Sequence, residues 1–163
     1  MTNLIKLLPN VNLSWSLYPA FEERVLKFNR EYLIENTPAQ DTTLVNILRQ
    51  RWVTEPASSG YWLALRDNKP IGHVCAWLAM DWNQPYAFIY QAETLWEEGL
   101  ATQWLSEMDD WIAEMNGILI ARSASPITLI EFSTFNKPDV MQRYLELRGR
   151  SNVRYRSILR FNV

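Results

Sequence analysis

Between Phe88 and Leu105 the chain reads as a buried strand, a tight turn and the opening of an amphipathic helix, and no other stretch constrains the fold as much. Apolar residues recur at Leu100, Trp104, Met108, Trp111 and Met115, the spacing of one face of an α-helix. Gly99 lets the backbone turn without a side chain in the way, and the helix that follows leaves its first N–H groups unpaired. A strand that delivers the chain to such a helix start makes a cradle where backbone donors can hold an anion.

The elements around this junction follow from periodicity and turn residues. Pro19 to Tyr32 reads as a helix with Phe21, Val25, Phe28 and Tyr32 on one face, and Pro19 suits its first turn. Val11 to Trp15 alternates and is expected as an opening strand. Pro38 breaks the chain, and Asp41 is a good N-cap for a helix over Thr42 to Arg51 with Leu44, Ile47, Leu48 and Trp52 facing inward. Tyr61 to Arg66, Ile71 to Met80 and Tyr86 to Gln91 read as three successive antiparallel strands, the first two joined through Asp67-Asn68-Lys69-Pro70. The glycine turn leads into a helix to Asn116, with Gly117 as its C-terminal cap, and Ile118 to Arg122 extends it or forms a strand. Ile127 to Ser133 as a strand, Asp139 to Leu147 as a short helix and Val153 to Phe161 as a last strand complete the series.

At 163 residues and 48% hydrophobic content the chain can bury one core, so a single domain over 1–163 is expected. The aromatic share of 13% argues for a packed interior with aromatic residues to spare for pockets. The single cysteine, Cys75, excludes an internal disulfide and a cysteine metal cluster, which suits a reducing, cytoplasmic setting. Lys6 and Pro9 interrupt the first residues, so no signal peptide is expected, and no apolar run approaches a membrane span.

The net charge of −2 conceals a segregation. From Pro70 to Ala121 there is no Lys or Arg, yet Asp81, Glu93, Glu97, Glu98, Glu107, Asp109, Asp110 and Glu114 fall there. From Lys137 to Arg160 the sign reverses, with Arg143, Arg148, Arg150, Arg154 and Arg156 between them. Two solvated faces of opposite sign are the plain interpretation. The acidic segment also suits a cationic amine, a basic protein partner or a second copy in a homo-oligomer, whereas nucleic acid needs a continuous basic patch and is not expected.

The turn Trp96-Glu97-Glu98-Gly99-Leu100-Ala101 resembles the phosphate-binding loop of the GNAT N-acetyltransferase superfamily, with small residues at Gly99 and Ala101 and Trp96 where that pattern has Gln or Arg. The order helix, helix, three strands, glycine turn, helix, strand, helix, strand is also that family's. The resemblance implies an α/β (α+β) fold with a central mixed, mostly antiparallel sheet flanked by helices. It implies acetyl-coenzyme A (acetyl-CoA) as cofactor, held by Gln91, Ala92, Trp96, Glu97, Glu98, Gly99, Leu100, Ala101, Thr102 and Asn136. Tyr144 resembles the family tyrosine, although counting back from Gly149 puts Leu145 at that position and Arg150 replaces a Phe.

Acetyl transfer needs a neutral amine, a group that takes its proton, donors for the carbonyl oxygen and an acid for the leaving thiolate. Glu93, at the mouth of the third strand, is the candidate base, and Tyr144 the candidate acid. His73, between Ile71 and Cys75 in a strand, reads as a core histidine, and Cys75 as an inert core thiol. No metal ligand set is present. Two functions follow: an N-acetyltransferase acting on a small amine or a protein amino group, or a GNAT-fold subunit that has lost the cofactor and serves assembly.

Overall fold

The computed structural model describes residues 2–32, 38–93, 98–134 and 153–157. The elements are β1 (Thr2–Lys6), α1 (Asn12–Tyr32), α2 (Pro38–Thr54), β2 (Ser59–Arg66), β3 (Lys69–Asp81), β4 (Gln84–Ala92), α3 (Glu98–Ala121), β5 (Ile130–Thr134) and β6 (Val153–Ser157). The strands form one sheet in the order β1-β2-β3-β4-β5-β6. The first four are antiparallel, and β5 and β6 join in parallel, so the sheet is mixed and mostly antiparallel as expected.

Each face of the sheet has its own core. Tyr61, Leu63, Leu65 and Cys75 pack with Phe21 and Val25 of α1 and Leu48 and Trp52 of α2. Trp62, Val74, Ala76, Ala87 and Ile89 point the other way, onto Trp104, Met108, Trp111 and Met115 of α3. Successive strand residues face opposite sides, so a strand covered on both sides is apolar throughout, and all of β2 before Arg66 is buried. Two buried groups of this face find backbone partners: Trp52 Nε1 donates to Leu7 O at 2.9 Å and Tyr61 Oη to Leu48 O at 3.1 Å. The free side of β1 is bonded by one side chain of α3, since Leu4 N donates to Gln103 Oε1 at 2.9 Å and Gln103 Nε2 to Thr2 O at 3.2 Å.

Several local expectations need correction. Val11 to Trp15 is not a strand: α1 starts at Asn12, and the alternating Val11, Leu13 and Trp15 are 40%, 57% and 47% exposed, so their pattern did not record burial. The opening strand is Thr2–Lys6 instead. Pro19 therefore lies inside α1, on the exposed side, where water can replace the donor it lacks. Pro38 begins α2 rather than separating the helices, a position whose N–H would be unpaired in any case, and Ile47 faces solvent at 50% exposure. Gly117 is interior to α3, and the helix ends where Ser123 adopts a left-handed φ of 57°. Ser123 N donates to Ile120 O and Ala124 N to Leu119 O, the two bonds of a Schellman cap without its usual glycine. The short helix expected over Asp139 to Leu147 lies outside the described residues.

The β2–β3 hairpin turns on Asp67 and Asn68 with φ of 50° and 63°, left-handed values that short Asx side chains tolerate. Two irregularities follow in β3 and β4. The register passes from Ala64↔Gly72 to Leu65↔Pro70, leaving Ile71 as an extra residue, and from Cys75↔Gln91 to Ala76↔Ile89, leaving Tyr90 as another. Such bulges re-aim neighbouring groups, and both lie close to His73.

Candidate active site

The site lies at the end of β4, where the sheet opens. β4 and β5 pair through Ala87↔Ile130, Phe88↔Glu131 and Ile89↔Phe132. Among the described residues β4 has no partner on that side from Tyr90 onward, although β5 runs on beside β6 to Thr134. Five residues after Glu93 a 24-residue helix starts at Glu98, and the first N–H groups of such a helix have no partner within it.

Glu93 stands at that end and is not a solvated strand terminus. Its N–H donates to His73 O at 2.8 Å, which carries the β3–β4 ladder one residue past β4. Its carboxylate accepts from Arg24 Nε at 3.0 Å on Oε2 and from Arg24 Nη2 on Oε1, while His73 Nδ1 lies 3.1 Å from Oε2. Arg24 Nη2 also donates at 3.3 Å to Ile71 O, the carbonyl of the bulged residue in β3. One guanidinium of α1 thus ties together the ends of two strands.

This cluster is largely buried. The side chains of Arg24 and Glu93 are 16% and 10% exposed and that of His73 is fully buried, its ring edge-on to Phe21 and Phe28 of α1. Burial alone would raise the Glu93 pKa, but the hydrogen bond and charge of His73 and then those of Arg24 outweigh it and hold the carboxyl below its ordinary value of 4.5. With both oxygens engaged, Glu93 is a weaker proton acceptor than a free glutamate.

His73 is the core histidine the sequence suggests, with the added task of orienting Glu93. Cys75 is buried, and burial pushes its thiol up, so it is inert as expected. Arg24 escapes a reading of the sequence because 69 residues separate it from Glu93, and a lone arginine inside a helical pattern carries no signal.

Gln91 and Ala92 end β4, and Glu98, Gly99, Leu100, Ala101 and Thr102 form the first turn of α3. Leu100 is buried and Thr102 exposed. Gly99 is exposed, and a Cβ built there meets nothing within 4 Å beyond its chain neighbours and the helix's own backbone. The fold therefore does not need glycine here. Trp96, Glu97, Asn136 and Tyr144 lie outside the described residues. Among the described residues no group of His, Cys, Asp and Glu side chains could hold a metal ion, and no helix is long and apolar enough to cross a membrane.

A family model described as the Acetyltransferase (GNAT) family matches residues 23–125, from α1 through the end of α3. The chain belongs to the GNAT acetyltransferase family. Solved structures share the GNAT fold at low identity. An aminoglycoside acetyltransferase from an uncultured soil metagenomic sample, in complex with sisomicin, aligns with a TM-score of 0.58 at 13% identity, over 99% of this chain and 95% of that one. AAC(6')-Iy with a CoA-containing bisubstrate analogue gives 0.59 at 10% identity, over 100% and 98%. A predicted acetyltransferase from Clostridium acetobutylicum with acetyl-CoA gives 0.53 at 17% identity, over 99% and 96%. A search of curated proteins finds no match.

Proposed function

We propose that this GNAT chain transfers an acetyl group from acetyl-CoA to the primary amine of a small molecule or a protein. The observation that carries the reading is the opening of β4 from β5 directly before the α3 N-terminus, with Gly99 facing empty space and Glu93 fixed at the mouth. Acetyl-CoA would supply the activated acetyl group as a thioester. Leu100, Ala101, Thr102 and the backbone at Glu98 and Gly99 are the described residues that would hold it, with Gln91 and Ala92 beside it on β4, and Trp96, Glu97 and Asn136 are assigned there by resemblance. Tyr144 stays the candidate acid on the same ground. The relatives named above, bound to acetyl-CoA, to a CoA conjugate or to an aminoglycoside, support an amine acceptor. The family match, with neighbours solved with acetyl-CoA or a CoA conjugate, favours the transferase over the cofactor-free subunit.

Glu93, held ionised, can accept a hydrogen bond from an ammonium or amine and orient it, while the proton itself leaves to solvent. Glu93→Gln should therefore lower kcat/KM for the amine roughly 10- to 100-fold, the equivalent of about 1.5–3 kcal/mol for a hydrogen bond to a charged group, with CoA affinity unchanged. The wild-type rate should rise with pH towards the pKa of the amine in solution. A bend near neutrality that Glu93→Gln abolishes would return the role of base to Glu93.

Gly99→Val tests the cofactor site. A side chain there should weaken CoA binding at least tenfold, equivalent to about 1.4 kcal/mol, while thermal stability hardly moves, since the Cβ meets nothing within 4 Å. Calorimetry with CoA and a melting curve decide it. Unchanged affinity removes this turn from the cofactor site.

A further inference from the structure

On the face of the sheet covered by α1 and α2, the core under the helices reaches Trp77 and Tyr90 at its margin and continues there into a row of half-buried and buried aromatic rings on β3 and β4. Tyr86, Phe88 and Tyr90 follow one another along β4, with centroids 6.4 Å apart at each step. Trp77 of β3 stands beside Phe88 in register and stacks on Tyr90 at 4.7 Å with 24° between the planes. Arg51 of α2 lies over Trp77 at 4.5 Å and closes that side. Trp77, Phe88 and Tyr90 are half-buried although they are among the largest apolar side chains the sheet carries.

The strip ends at the proposed site. Tyr90 is the bulged residue at which β4 leaves β5, and Glu93, three residues on, directs its carboxylate to the same α1 side. Three residues of strand span on the order of 10 Å. Ring faces bind flat apolar bodies through dispersion and through their negative π-surface, which also favours a nearby cation. We propose that Trp77, Phe88 and Tyr90 form the acceptor-binding wall, and that the acceptor is an amine carried a short distance from a flat apolar face, either an aryl ring or the C–H face of a sugar. This rests on the acetyltransferase reading above and specifies its substrate.

The test measures acetyl transfer and equilibrium binding for tryptamine, D-glucosamine and, as a linear control, hexylamine. The wild type should prefer one or both flat amines over hexylamine, and which one separates the aryl from the sugar source. Tyr90→Leu and Phe88→Leu should each raise KM and Kd for the preferred flat amine roughly three- to tenfold, the scale of an aromatic contact, and leave hexylamine and CoA affinity unchanged. Tyr90→Phe, which keeps the ring, should behave as wild type. Equal loss for flat and linear amines, or no loss in either leucine variant, overturns the wall even if acetyl transfer is intact. Ring-dependent binding of a flat amine without any acetyl transfer supports the wall and refutes the acetyltransferase reading, while no binding of any amine refutes the wall.

Discussion

Replacing Arg24 by Met is expected to destabilise the protein by about 3 to 5 kcal/mol, because it leaves the buried Glu93 carboxylate without its charge partner. For a domain of this size about 2–4 °C accompanies each kcal/mol, so the melting temperature should fall on the order of 10 °C. Arg24→Met with Glu93→Leu should recover much of the loss, since a buried pair replaced by packed apolar groups is often neutral. The pH dependence supplies a second check. The folded pKa of Glu93 lies below its ordinary 4.5, so the pair's stabilisation is complete above that value and disappears as pH falls through the lower folded value. In Arg24→Met, burial acts on Glu93 with His73 left, among the described residues, to oppose it. Its pKa rises, and the gap between variant and wild type should narrow on acidification. A gap constant from pH 7 to pH 3 would contradict the charge-pair account.

Gly60→Ala is expected to cost about 3 kcal/mol, at the upper end of overpacking effects. A Cβ at this position of β2 would lie 2.3 Å from Trp62 Cη2 and 2.5 Å from Cζ3, so the indole lies back over the glycine backbone two residues before it. Trp62 cannot yield: it is fully buried, edge-on to Trp111 at 6.1 Å, under the Lys6 ammonium, and its Nε1 donates to Glu107 Oε2 at 3.3 Å. Trp62→Phe in the Gly60→Ala background should restore part of the stability, because a smaller ring vacates the space. Chemical denaturation of the four proteins measures the coupling, and simple additivity would mean that the two side chains do not compete.

Much of the framework is legible in the amino-acid sequence. Periodicity locates the three antiparallel strands and the helix after Gly99, because alternation and the 3.6-residue repeat record which face is covered. It fails where apolar residues are exposed, as at Val11, Leu13 and Trp15, and where a cap uses Ser123 at a left-handed φ rather than the glycine that sequence rules favour. Glu93 draws notice in the sequence by its place at the strand end. What fixes its chemistry does not, because Arg24 and the bulges at Ile71 and Tyr90 arise from tertiary packing between segments far apart in the chain. The aromatic strip shows in the sequence only as an excess of Trp, Tyr and Phe, and it is the strand register that puts four of them side by side.

The pair of hydrogen bonds between Gln103 and β1 bears on how copies of this protein meet. A bare sheet margin invites a foreign strand, and Leu4 N with Thr2 O would be the first groups to zip onto it. The Gln103 amide presents one acceptor and one donor, as a backbone unit would, and so stands in for a single residue of a seventh strand. Self-association through this margin would first have to displace it, and a Gln103→Leu variant would present the edge bare.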